Sequence, residues 1–169
     1  MAPGVRRAAL VAHVCGSVGW LGAIVTSLVL GVVGLTARDG EVVRAAYLTL
    51  AVLGRWALLP FSVAALLTGL IQSLGTGWGL FRHYWVVAKL LMNLVATGVL
   101  LLYLQTLTYL AGLARASADP AGLRDPSPVV HAGAAIALLL VALVLSIYKP
   151  RGLTRYGLRR SPGTLTPRA

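Results

Sequence analysis

His13-Val-Cys-Gly-Ser-Val-Gly-Trp-Leu-Gly-Ala-Ile-Val-Thr-Ser27 lies inside an uncharged run that extends from Ala8 to Thr36. At about 1.5 Å per residue, such a run covers the roughly 30 Å hydrocarbon core of a bilayer. His13, Ser17, Trp20, Ile24, Ser27 and Gly31 recur at helical spacing, so one face of this helix carries them all. Gly16, Gly19 and Gly22 add small residues that let another helix approach closely. The run is longer than the apolar core of a signal peptide, which predicts a retained first helix.

Three more apolar segments follow, and the pattern predicts helices at about 8–36, 42–74, 84–113 and 129–148. With 58% hydrophobic and 11% charged residues, the 169-residue chain is too apolar for a soluble domain. The fold class expected is all-α: an integral membrane, antiparallel bundle of four transmembrane helices over residues 1–150. Residues 151–169 read as a basic, disordered tail lying on anionic lipid. The 114–128 connection is polar, holds three prolines and needs no structure of its own.

Charge sets the expected orientation. Four spans put both termini and the loop around Arg82 on one side, with nine bases: Arg6, Arg7, Arg82, Lys149, Arg151, Arg155, Arg159, Arg160 and Arg168. The other side has Arg38, Arg44, Arg115 and Arg124, together with all four acids, Asp39, Glu41, Asp119 and Asp125. The positive-inside rule makes the first side cytoplasmic and predicts a multi-pass protein of the cytoplasmic membrane. The formal charge of +11 therefore reports on membrane and lipid, not on nucleic acid.

Two cations fall within helices. Arg55 precedes Pro60, which removes a backbone donor and predicts a kink that frees the carbonyl of Trp56. Lys89 shares a polar face with Trp85 and Asn93, with Met92 one turn from Lys89. Each cation can snorkel to an interface, or can be buried against an imported anion: a haem propionate, a substrate carboxylate, a lipid phosphate, or water. Depth pairs His13 with Lys89, since each lies seven residues above an arginine, Arg6 or Arg82, at one end of the bundle. His13 reads either as a ligand or as a packing histidine bonded to a nearby hydroxyl. His83 and His131 read as interfacial residues.

The residues that would hold a cofactor are thus His13 and Trp20 on helix 1, Arg55 on helix 2, and Trp85, Lys89 and Asn93 on helix 3. His13 is the one metal ligand among them. Copper would find His13 and Met92, because Cys15 faces away from His13. Carboxylate pairs, nucleophile and base sets, phosphate loops and zinc motifs are missing, which leans against an enzyme.

Gly16-Ser-Val-Gly-Trp-Leu-Gly22, Arg44-Ala-Ala-Tyr-Leu48 and the block from Leu67 to Lys89 resemble an uncharacterised family of actinobacterial four-helix integral membrane proteins, over about Ala8 to Pro150. More distantly, His13-x6-Trp20 and Trp85-x3-Lys89 resemble copper-resistance D-type membrane domains and HemJ-type protoporphyrinogen oxidases. The second resemblance implies a b-type haem held by His13, with Lys89 also important, in a redox or accessory protein. The chain departs from that pattern where Leu100 to Tyr103 stand in place of a further histidine, so protoporphyrinogen oxidation is not carried over. The alternative is a non-enzymatic membrane subunit that binds a partner helix or a second copy of itself, or that handles copper.

Overall fold

The structure, a computed structural model, describes residues 2–75, 79–150 and 152–159. Four of its helices are long and apolar enough to cross a membrane: α1 (Pro3–Thr36), α2 (Gly40–Gly75), α3 (Tyr84–Ala116) and α4 (Ser127–Tyr148). A short α5 (Arg155–Arg159) follows. The protein is a multi-pass, all-α membrane bundle. α1 packs against α2 and α4, and α3 completes the square against α2 and, more sparsely, against α4. The start of α1, the end of α2, the start of α3 and residues 152–159 lie at one end, the terminal end; the other two connections lie at the far end.

The helices overrun their sequence-predicted limits for identifiable reasons. Proline at the first position starts α1 at Pro3, where its missing N–H costs nothing. The Asp39 carboxylate accepts the Glu41 N–H at 2.8 Å and begins α2. Asp125 accepts the Ser127 N–H at 2.7 Å at the head of α4. α3 is carried on to Ala116 because the Arg44 guanidinium donates to the carbonyls of Ala114 (2.8 Å), Arg115 (3.1 Å) and Ser117 (3.1 Å). Arg124 caps α1 in the same way through the Leu35 carbonyl.

The helix leaves regular α geometry just before Pro60. The turn before it, Gly54–Leu58, is π-helical, and the Leu59 N–H bonds five residues back to Gly54. One extra residue in that turn absorbs the defect while α2 continues. Gly54 is the point of close approach to α3: a Cβ there would stand 2.8 Å from Leu107 Cδ1 and 2.9 Å from Leu104 Cδ2.

α4, the shortest span, marks the membrane. Its 22 residues rise about 33 Å, close to the hydrocarbon thickness. Tyr103 on α3 reaches Ser127 at its head, and Leu104 and Leu107, just beyond, meet Gly54. Arg55 and the exposed Trp56 therefore stand level with the start of α4, at a boundary that suits a cation and an indole. Exposed Tyr148, Tyr84 and Phe81 ring the terminal end.

Beyond the head of α4, the ends of α1 and α3 and the first half of α2 project as a cap with its own core of Val43, Tyr47, Leu50, Leu107, Leu110 and Ala114. The 114–128 connection, expected to need no structure, is folded over this cap. Asp119 accepts the Ala121 N–H at 3.0 Å, Pro120–Gly122 forms a 3₁₀ turn, and Pro120 is buried against Gly40. The Tyr47 hydroxyl, 1% exposed as a residue, donates to the Leu123 carbonyl (3.2 Å) and accepts the Asp125 N–H (3.1 Å). At the terminal end, residues 152–159, the start of the stretch that composition predicted as a disordered tail, lie against the turn before α3 and include the helix Arg155–Arg159. The Thr154 N–H bonds the Arg82 carbonyl at 3.0 Å, and His83 bridges Leu153. Residues 160–169 and Trp78 lie outside the described residues.

Candidate functional site

Two of the three glycines at every third position of α1, Gly16 and Gly19, are points of close helix approach, whereas Gly22 has nothing within 4 Å of where a Cβ would stand. Gly16 lies against Ala64 and Ala65, Gly19 against the Phe61 ring, and Gly31 against Pro128 and Val129. The first two contacts seat α1 on α2; the third seats it on α4. These approaches aim two groups of polar side chains inward at different depths.

The first group sits near the terminal end. His13 Nδ1 is 3.1 Å from Thr68 Oγ1 on α2. That hydroxyl also lies 2.6 Å from the Ala64 carbonyl and 3.3 Å from that of Ala65, so His13 joins α1 to the backbone of α2 through Thr68. Lys89 Nζ donates to Ser146 Oγ on α4 at 2.6 Å and lies 5.7 Å from the centre of the Trp85 ring. Ser146 in turn donates to Ala142. Eighteen residues separate Gly31 from His13 and likewise Pro128 from Ser146, about 27 Å on either helix, so His13 and Lys89 are level. They stand on opposite helices of the square, and each is bonded to a neighbouring helix instead of to the other.

The remaining candidates disperse. Trp85 stays with Lys89. Asn93 accepts a long bond from Thr97 at 3.4 Å. Arg55 is exposed at the far boundary. Trp20 is 2% exposed and belongs to a separate buried cluster with Ile24, Leu58 and Ala132. Cys15 is exposed, away from His13, and among the described residues no three of His, Cys, Asp and Glu gather as a metal site.

The second group surrounds a cavity of about 200 Å³ lined by all four helices. Trp20 and Ser27 contribute from α1, Leu58 from α2, Val99 and Tyr103 from α3, and His131 and Ala135 from α4. His131 was expected at an interface; the structure puts it here, stacked on Tyr103 with ring centres 3.8 Å apart and planes at 11°. Its Nδ1 lies 2.9 Å from the Ser127 carbonyl, which can only accept, so the proton is on Nδ1 and Nε2 is bare. The Tyr103 hydroxyl is 3.1 Å from Ser127 Oγ. The Ser27 hydroxyl is buried and has no hydrogen-bond partner among the described residues. Ser27 lies one turn below Gly31, and His131 close to one turn below Pro128, so the two line the cavity at the same depth from adjacent helices.

Sequence reasoning missed His131 and Tyr103 as a pair. The available signal was depth: Tyr103 lies 19 residues above Tyr84 and His131 17 above Tyr148, equal heights to within about 3 Å.

No family model, curated protein or solved structure matches this chain.

Proposed function

We propose that this chain is a binding protein of the cytoplasmic membrane, with both termini cytoplasmic, that holds a small apolar molecule between its helices. One observation carries the reading. The cavity is lined by all four spans, yet Val95 and Val99 belong both to its lining and to the exposed surface of α3. In a membrane protein that surface faces lipid, so a lipid-soluble molecule reaches the cavity sideways through the sparsely packed seam between α3 and α4.

Size limits the occupant. An apolar cavity of about 150 Å³ takes benzene, whereas drug-sized ligands need about 300–1,000 Å³. A single ring or a short chain fits about 200 Å³. The nine bases at the terminal end against four at the far end, where all the acids lie, support the orientation.

The test is binding of propylbenzene to the full chain in detergent, read by the fluorescence of Trp20 after Trp56, Trp78 and Trp85 are changed to Phe. Ala135→Phe, which fills the cavity, abolishes the response while circular dichroism stays helical. An unchanged response in that variant refutes the reading.

A second reading rests on His13. Its ring is held to α2 through Nδ1 by Thr68, and His13 is the residue that would hold the iron of a haem. Haem would supply one-electron chemistry there, and Lys89, level with His13, would neutralise a propionate. Protein from haem-replete cells then shows a Soret band that shifts on dithionite reduction and is lost in His13→Ala. A flat Soret region refutes it.

A further inference from the structure

We infer that Lys89 and Lys149 hold the phosphate of an anionic phospholipid at the terminal end of the seam between α3 and α4. The inference draws on residues at that boundary and stands whether or not the cavity takes a ligand.

Lys89 has more hydrogens to give than the bundle has acceptors for it. Its Nζ gives one to Ser146 Oγ at 2.6 Å, and the Trp85 ring lies 5.7 Å away. An ammonium has three hydrogens, and the other two meet no acceptor among the described residues. Ser146 brings no charge of its own; its hydroxyl donates in turn to the Ala142 carbonyl at 2.8 Å. Lys149, three residues past Ser146 at the end of α4, is exposed and near enough for the two positive charges to repel each other.

No aspartate or glutamate relieves that repulsion. The four in the chain, Asp39, Glu41, Asp119 and Asp125, all lie at the far end, about a full span away. A half-buried cation within a membrane helix takes a counter-charge, and at this edge it comes from outside these side chains.

Place selects a lipid over a free anion. Ser146 is two residues from the end of α4, about 3 Å of rise from the edge of a span that matches the hydrocarbon. Phospholipid headgroups begin at that level, and the exposed rings of Tyr84 and Tyr148 mark it at the adjoining ends of α3 and α4. Val95 and Val99, six and ten residues further along α3, are 51% and 47% exposed on the sparsely packed seam. Acyl chains attached to the phosphate find that apolar track, which an inorganic anion leaves unused. Two ammonium groups at one phosphate favour a headgroup of net negative charge over a zwitterion, whose own cation competes with them. In the haem reading a propionate would stand in the same place; lipid retention needs no Soret band, so the two are told apart.

The experiment is native mass spectrometry of the purified full chain with phosphatidylglycerol, with phosphatidylcholine of the same acyl chains, and with inorganic phosphate. One phosphatidylglycerol is retained in preference to the other two. Lys89→Gln weakens that retention about fivefold, the size of one lysine's attraction to anionic lipid, and Lys149→Gln, at an exposed position that leaves the bundle undisturbed, does the same. Lys89→Arg keeps it. Arg6→Gln, which removes equal charge from the exposed start of α1, leaves it unchanged. Equal retention of the two lipids overturns the inference, as does an equal loss in Arg6→Gln, which would make the attraction one of bulk surface charge. Inorganic phosphate that binds as tightly as the lipid overturns it too, since the site would then belong to a free anion.

Discussion

Tyr47→Phe isolates the polar bridge that ties the far-end connection to the cap. The substitution keeps the ring in its fully buried place and removes one oxygen. That oxygen serves two backbone groups, the Leu123 carbonyl at 3.2 Å and the Asp125 N–H at 3.1 Å. A neutral hydrogen bond contributes about 0.5–1.5 kcal/mol net, and a buried group left without a partner costs about 1–3 kcal/mol. Both bond lengths are ordinary and the connection lies at a solvent-facing end, so water recovers part of the loss. The expected destabilisation is about 2 kcal/mol, close to a thirtyfold change in an opening equilibrium. Hydrogen exchange is the assay: the Asp125 amide loses protection by about that factor, while amides in the middle of α3 change far less. Tyr109→Phe, on the exposed surface of α3, is the control and changes nothing. A loss below about 0.5 kcal/mol with Asp125 protection intact would refute the argument that this hydroxyl organises the connection.

Two further perturbations test the caps and the membrane boundary. Arg44→Ala removes three bonds to the last carbonyls of α3 and should cost about 1–2 kcal/mol, less than full burial would give because the side chain is partly exposed; Arg44→Lys recovers only part of it, since an ammonium cannot fork across the same carbonyls. Fraying of residues after Ala111 in hydrogen exchange is the readout. In a Cys15→Ala background, Arg55→Cys reacts rapidly with a membrane-impermeant maleimide applied from outside intact cells, and protection of that cysteine from the reagent would remove Arg55 from the far boundary.

Much of the fold was legible because each span is a long local pattern whose meaning does not depend on its partners. The uncharged run from Ala8 to Thr36, the close approaches at Gly16 and Gly19 and the break at Tyr148 could be read residue by residue, whereas Gly22, read in the same way, meets no neighbour. Helix ends were harder, because the agents that extend them are remote: Arg44 acts 70 residues from Ala114, and Arg124 acts 89 from Leu35. The 114–128 connection looked structureless since its order comes from a tyrosine on α2. At the sites, depth correctly levelled His13 with Lys89, but sequence could not say that Thr68 and Ser146 would engage them. Ser27 was in the predicted stripe for its spacing. That it lacks a partner depends on a cavity formed by four separate helices, and no single stretch encodes it.

The π-helical turn at Gly54–Leu58 bears on which insertions and deletions the chain can tolerate. A deletion of one residue there would leave a smoother helix, with a conventional turn before Pro60, and by secondary structure alone would look like an improvement. Because a π turn absorbs its extra residue, the stretches on either side already keep the phase of one continuous α-helix. The shortened chain would leave Tyr47 and Leu50 in the cap and Ala64 and Ala65 against Gly16 of α1, with Thr68 still beside His13. What it would remove is the local widening at Gly54, where α2 comes closest to Leu104 and Leu107. Loss of one residue at this turn should therefore be tolerated, whereas a deletion elsewhere in α2, with no such turn to absorb it, would rotate one half of the helix against the other by about 100°.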